Sequence, residues 1–368
     1  MPRKLGIRDI QDIATGAAVL GTGGGGDPHI GMLMAIQAIE EYGPIELISP
    51  EELPDDALIV PSAMMGAPTV IVEKIPSGEE SLVAFEALQS YLGREVYATI
   101  PIEAGGLNSM IPLALAARTG LPVVDADGMG RAFPELQMVT YHLGGLKATP
   151  MVLTDEKGNS LVLNTIDNFW TERLARSATV DMGGASLIAI YPMSGKECKE
   201  HGIAGIVTLA GQIGAAIREA RGSHDSAIDR VLEITGGFRL FEGKIVDVSR
   251  RTEGGFARGE ATLAGMGSDQ GETLRISFQN ENLVARTERG EVLACVPDLI
   301  TVLDAETGKP VTTEALKYGY RVVVIGIPCS EKWRTPEGLE VVGPRYFGYD
   351  IDWVPVEELA RDREGRSR

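Results

Sequence analysis

The chain has 368 residues, 44% hydrophobic and 23% charged, which excludes an intrinsically disordered protein and exceeds what one hydrophobic core usually serves, so two domains with a cleft between them are expected. Its 52 acidic residues against 34 basic ones give a formal net charge of −18, and the dispersed lysines and arginines exclude nucleic acid and an anionic membrane as expected partners. Three distant cysteines without a CxxC pair (Cys198, Cys295, Cys329) argue against a disulfide framework or thiolate zinc site. With no leader-like start and no uncharged run of about 20 residues, they predict a cytoplasmic protein with no membrane span.

Ile10, Ile13, Ala14 and Ala17 recur at helical spacing and predict an amphipathic helix over 8–20, running into the glycine loop Gly21 to Gly26. A second helix follows, with Asp27 as N-cap, Pro28 in its first turn and Gly43 as its stop. Apolar runs at 57–61, 96–100 and 121–125 then alternate with helical patterns at 82–92 and 109–118, the signature of a largely parallel, three-layer α/β sheet. Two short apolar runs, 151–153 and 161–163, flank a polar turn at 155–159 and predict a hairpin. Just beyond it the boundary is placed near Asp167, dividing an α/β domain (1–166) from a second domain (167–368). The second domain opens with helices at 168–178, 205–220 and 224–234, and 238–350 reads as short strands, hence β-rich; the charged tail from Arg361 is expected to fray.

Candidate chemistry concentrates in the first 140 residues. A glycine-rich turn at a helix mouth offers free amides and a positive dipole end, so Thr22, Gly23, Gly24 and Gly25 are candidate binders of an anion or polarised oxygen. The dinucleotide fingerprint is not met, because a helix and not a strand precedes the loop, and no Walker lysine follows. Glu103 and Asn108 lie just past one predicted strand; the carboxylate is a candidate base and the amide a candidate reader of a ring, or else a helix cap. Past the next strand come Asp125, Asp127 and Arg131. These acids suit proton transfer or metal binding, unless Asp127 caps the following turn and Arg131 pairs with Asp125.

Other groups read more plainly. Met64 to Thr69 follows a strand, its methionines most simply core, and Glu73-Lys74 is most simply a solvated pair. Histidines stand at His29, His142, His201 and His224; Cys198 and His201 have ligand-like spacing without further partners, and no GxSxG elbow occurs. In the second half, Phe278 to Asn282, Pro297 to Ile300 and Gly343 to Asp350 look too specified for plain strands and either close a cleft or make tight turns.

Taken together, GTGGGGDP (from Gly21), EAGGLN (from Glu103), DADGMGRAFPE (from Asp125), Asn280-Glu281 with PDLI (from Pro297), and GPRYFGYD (from Gly343) resemble the S-methyl thiohydantoin desulfurase-like family, hydantoinase-associated proteins. The resemblance implies an α/β N-terminal domain, a β-rich C-terminal domain of swivelling type, and hydrolysis of a small five-membered cyclic amide in which water replaces sulfur at the carbon between the ring nitrogens. Ala104 departs from the pattern, which there implies a bulkier aliphatic residue. On this reading Glu103, Asp125 or Asp127 is the base, while the glycine amides or Arg131 stabilise developing charge or grip a substrate carboxylate. A divalent metal held by the acids would serve equally by acidifying water. The alternative is a non-catalytic ligand-binding or partner subunit of a hydantoinase- or oxoprolinase-type system. Homo-oligomerisation fits an enzyme of this size, though no segment argues for it directly.

Overall fold

A computed structural model describes residues 3–26, 28–66, 70, 78–220 and 226–366. Asp27, Ala67, Pro68, Thr69, Glu73, Lys74 and His224, which entered the expectations above, lie outside the described residues.

Strand β1 (Arg3–Leu5) leads into helix α1 (Ile7–Leu20), and α2 (Pro28–Tyr42) stops at Gly43, whose φ of 105° favours glycine and whose N–H donates to Ile39 O at 2.8 Å. Alternation then follows as β2 (Ile45–Ile48), β3 (Leu58–Gly66), α3 (Glu80–Leu92), β4 (Ala98–Pro101), α4 (Met110–Thr119), β5 (Val123–Val124) and β6 (Ala126–Asp127). After α5 (Thr140–Leu143) come the hairpin β7 (Met151–Thr154) and β8 (Ser160–Leu163), with Asp155 organising the turn, then α6 (Asn168–Asp181) and β9 (Ala185–Ala189). Next are β10 (Met193–Ser194), α7 (Gly195–His201), β11 (Ile203–Ala204), α8 (Ile206–Ala220) and α9 (Ala227–Thr235).

These elements build one mixed sheet in the order β1-β2-β5-β4-β3-β9-β7-β8, with β10 beside the start of β3. Only β2, β5, β4 and β3 run parallel. The largely parallel sheet expected from the alternation is therefore extended by antiparallel strands: β7 and β8 are joined by a turn too short for a parallel crossover, and β9 returns against β3. Because β3 is buried on both faces, it reads as the continuous run LIVPSAMM, and it extends past the tip of β4, where Pro101 pairs with Ser62. The chain that follows those parallel strand tips carries Glu103 and Asp127.

Beyond Asp167, β9 inserts between β3 and β7 and β10 pairs with β3, so this stretch contributes strands to the first sheet. A seven-stranded antiparallel sheet begins at β12 (Phe238–Glu253) and continues through β13 (Phe256–Gly265), β14 (Thr273–Gln279), β15 (Glu281–Thr287), β16 (Val292–Cys295), β17 (Leu299–Asp304) and β18 (Arg321–Ile327). Its order, β16-β15-β14-β13-β12-β18-β17, curls into a half-barrel, so that Asn282 Nδ2 on β15 donates to Ile300 O on β17 at 2.9 Å. At 16 and 10 residues, β12 and β13 are longer than the short strands expected, and register shifts beside Asp247 and Phe241 let the long strand bend. Helices α10 (Pro336–Val342) and α11 (Val356–Arg366) complete the chain. The tail expected to fray from Arg361 is helical through Arg366, and Arg363 bonds Leu240 O and Asp269. Among the described residues, no helix is long and apolar enough to cross a membrane.

The two halves of the α/β portion are locked by α1 against α8. A Cβ on Gly16 would lie 1.8 Å from Ala210 O, and one on Gly214 would lie 1.8 Å from Asp12 O, so the helix backbones touch where side chains are absent. Beside this crossing Arg218 grips Asp12 through two bonds of 2.8 and 2.9 Å. Gly16→Ala should therefore force the helices apart and destabilise by about 1–3 kcal/mol, as overpacked cores do. The check is the midpoint of urea unfolding, and an unchanged midpoint would mean that the crossing tolerates the methyl.

Candidate active site

Beyond α1 the backbone takes left-handed angles at Thr22 (51°), Gly23 (91°), Gly25 (75°) and Gly26 (82°). The loop folds directly onto the Gly105-Gly106 turn: a Cβ on Gly25 would sit 2.4 Å from Gly105 Cα, leaving room for backbone only. Gly25 O accepts from Leu107 N at 2.8 Å and from Asn108 N at 3.3 Å, so the glycine loop and the loop after β4 form one wall.

Asn108 determines the state of Glu103. Its Oδ1 accepts from Met64 N (2.8 Å) and its Nδ2 donates to Met64 O (3.3 Å), which fixes the amide's orientation and leaves a donor facing Glu103 Oε1 at 2.6 Å. The other oxygen, Oε2, accepts from Phe133 N at 3.1 Å. Burial nonetheless disfavours the charge and pushes the Glu103 carboxyl up to about 7, against the pull of Asn108, Phe133 N–H and the Arg131 guanidinium. Asn108, expected to read a ring, instead positions Glu103.

The remaining candidates take other roles. Asp125 turns to α8: Oδ1 accepts from Val207 N and Thr208 N, each at 3.0 Å, and Oδ2 from the Thr208 hydroxyl, so it caps that helix as an N-terminal acid should. Asp127 is fully buried, accepts from Met129 N and Gly130 N, and caps its own turn; burial first, and then the Glu103 charge, hold its carboxyl well above the ordinary range. Arg131 does not pair with Asp125. Its guanidinium is completely buried and donates to the carbonyls of Ala132 (3.0 Å), Pro297 (3.0 Å), Asp298 (2.8 Å) and Asn282 (3.3 Å) and to Thr22 Oγ1 (2.9 Å). Thr22 O and Gly23 O are likewise taken, by Asn282 N and Thr313 N at 2.8 Å each. Thr22 and Gly23 thus clasp the half-barrel through their carbonyls, and Arg131 does so with its whole guanidinium.

What converges is a cleft of about 60 Å³, open to solvent on one side and lined by Gly25, Gly26, Met64, Glu103, Asn108 and Glu281 among others. Asp125, Asp127 and Arg131 are not in its lining. Glu281, the first residue of β15, stands out in sequence as part of a cleft-closing or turn motif and of the family resemblance, with no role attached; its side chain occupies the space over Gly24, where a Cβ would meet its Oε1 at 2.0 Å. The Gly343 to Asp350 motif closes the rim, Tyr346 OH donating to Glu135 Oε2 at 2.7 Å. The donor set for a divalent metal does not assemble: Asp125 and Asp127 are engaged with backbone amides, and no three His, Cys, Asp or Glu side chains come together among the described residues. Cys198 is a buried thiol pushed up to about 12 by burial, and His201 packs on Gly144.

Family models match both halves of the chain. The S-Me-THD-like N-terminal domain matches residues 8–165 and the S-Me-THD-like C-terminal domain residues 166–356. The chain belongs to the S-Me-THD-like family. As an S-Me-THD-like protein it shares its fold with a crystal structure of a protein from Chromobacterium violaceum, 22% identical, with a TM-score of 0.81 over 96% of this chain and all of the other. No curated protein matches it. The clasp common to both halves of this S-Me-THD-like chain is open to test. Arg131→Lys replaces a flat five-donor fork with a point charge that cannot reach four carbonyls and a hydroxyl at once, and should cost about 3–5 kcal/mol. Thermal and urea unfolding measure it, and wild-type stability in this variant would refute the clasp.

Proposed function

We propose that this S-Me-THD-like protein is a hydrolase that removes the thiol from an S-alkylated thiohydantoin-type ring, water attacking the ring carbon between the two nitrogens, with Glu103 as the general base. The observation that carries the reading is Glu103 itself: a buried carboxyl at the cleft wall whose two oxygens both accept from fixed donors and whose proton affinity sits near neutrality. A base is most effective when its pKa lies near the working pH. The cleft, at about 60 Å³, has room for the attacking water. Gly25 and Gly26 line the same space, and their N–H groups make no hydrogen bond among the described residues, which supports them as donors to a ring oxygen or nitrogen as charge develops there. Cationic grip on a substrate carboxylate is not part of this proposal, because Arg131 has its donors engaged and Arg176 at the rim is paired with Glu172 at 2.8 Å.

Incubation with S-methyl thiohydantoins, with methanethiol followed by a thiol reagent, should show turnover. Glu103→Gln should lower kcat by about 10²–10⁴-fold, the usual worth of a positioned base. Tight binding without thiol release by the native protein would instead support the non-catalytic partner subunit. With the native enzyme kcat should rise with pH through about 7, as Glu103 loses its proton.

The same group sets a stability trend. Its folded pKa is raised, so its contribution is complete below the ordinary carboxylate range and is lost as pH climbs through about 7. Denaturant unfolding of the native protein between pH 5 and 8, a window chosen to bracket that titration, should show this decline, and Glu103→Gln should flatten it. A native curve that rises across the window would contradict the assignment.

A further inference from the structure

Removing sulfur from the ring needs more than a base. Expelling a thiolate into a buried cleft beside an ionised Glu103 places two negative charges close together in a low-dielectric site, so the leaving sulfur requires a proton donor. Among the described residues of the α/β portion, Asp127 is outside the cleft lining, Asn108 is committed to Met64 and Glu103, and Glu135, which does line the cleft, has its Oε2 taken by Tyr346 OH and Gln137 Nε2.

Glu281 meets the requirement. It is 2% exposed, lies in the lining of the cleft that holds Glu103, and its Oε2 has no hydrogen-bond partner among the described residues. Both neighbours are pinned. Asn280 adopts a left-handed φ of 58° and is held by Ala257 N on Oδ1 (2.9 Å) and Thr313 Oγ1 on its carbonyl (2.7 Å). Asn282 joins Thr22 and Arg131. A carboxyl held this firmly and buried, with one oxygen lacking a partner, is costly unless it is neutral or meets a ligand.

We propose that Glu281, delivered by the half-barrel, is the general acid that protonates the departing sulfur. The inference rests on the hydrolase reading above. In the first step Glu103 takes a proton from water as the oxygen bonds to the ring carbon; the C=N π pair moves to nitrogen, which receives that proton from Glu103. In the second step the C–S bond breaks, its electron pair and the Glu281 proton leaving together as the thiol. The new hydroxyl gives its proton to Glu103 as C=O forms, and that proton passes to Glu281, restoring both groups. Burial first, and then the Glu103 carboxylate, hold the Glu281 carboxyl well above its ordinary range; Glu314 acts in the same direction, and Arg131 opposes them.

Leaving-group dependence tests the role. Native enzyme, Glu281→Gln and Glu281→Asp would be compared on S-methyl and S-(2,2,2-trifluoroethyl) substrates, the second releasing a thiol acidic enough to depart unprotonated. Glu281→Gln should lose about 10²–10⁴-fold in kcat on the S-methyl substrate and much less on the trifluoroethyl one, while Glu281→Asp keeps part of the S-methyl activity. In the native enzyme the S-methyl rate should fall at alkaline pH and the trifluoroethyl rate should not, a comparison that needs no variant to fold. Equal losses on both substrates, or no loss, together with identical native alkaline limbs, would overturn the acid role while leaving the hydrolase standing. Absence of thiol release by the native enzyme from either substrate would overturn both.

Discussion

One buried guanidinium holds the two halves of this protein in register. Arg131 arises in the loop after β6, yet four of its five contacts are to residues of other segments: Thr22 in the glycine loop, Asn282 at the start of β15, and Pro297 and Asp298 before β17. Its acceptors are neutral carbonyls and a hydroxyl, so the charge is solvated by the protein and not consumed in a single ion pair. Such an arrangement is costly to disturb, because carbonyls and charge would be stranded together. Glu103 and Glu281 lie near enough to feel the guanidinium, which opposes the rise in both of their pKa values. The clasp therefore does two things at once: it positions Glu281 over Gly24, and it tempers the repulsion between two carboxyls that the fold brings to one cleft.

Glycine makes that proximity geometrically permissible. At Gly24 the space a methyl group would need is taken by the Glu281 carboxyl; at Gly25 it is taken by the backbone of Gly105. The loop thus serves less as the open anion cradle suggested by its position before α2 than as a surface thin enough for two other segments to close on. Gly25 and Gly26 remain in the cleft lining, whereas Thr22 and Gly23 face the half-barrel.

Local elements were legible in the sequence because apolar periodicity is a local property: α1, α2, β3, α3, β4, α4 and the β7–β8 hairpin follow from spacing and from stops such as Gly43. Pairing was less so. Nothing in residues 185–189 says that they will insert between β3 and β7, since a strand's partner is chosen by tertiary packing. In the site, Glu103 and Gly25 were legible from their places at strand tips and glycine turns. Asp125 and Asp127 were not separable by the same reasoning, because an acid that caps a helix or a turn and an acid that moves a proton can share one sequence pattern; the difference lies in the Val207, Thr208 and Gly130 amides that reach them. Glu281 carried a signal, an Asn-Glu-Asn cluster in an otherwise strand-like stretch, but its role depends on where the half-barrel docks.

The composition of the cleft also constrains what can enter it. Three carboxyls line it (Glu103, Glu135 and Glu281), the guanidinium in its lining, Arg176, is paired with Glu172, and among the described residues Gly25 and Gly26 offer backbone donors. An anionic group brought beside Glu103 would meet repulsion without a compensating cation, whereas a neutral ring presenting a carbonyl and a C=N bond would find amide donors on one side and a protonated carboxyl on the other. Reactivity would then come from the difference between two like groups: Glu103, held by Asn108 and Phe133 N–H, releases its proton near neutrality, while Glu281, without such donors on Oε2, retains its own. That inequality is what allows one carboxyl to act as base and the other as acid in a single cleft.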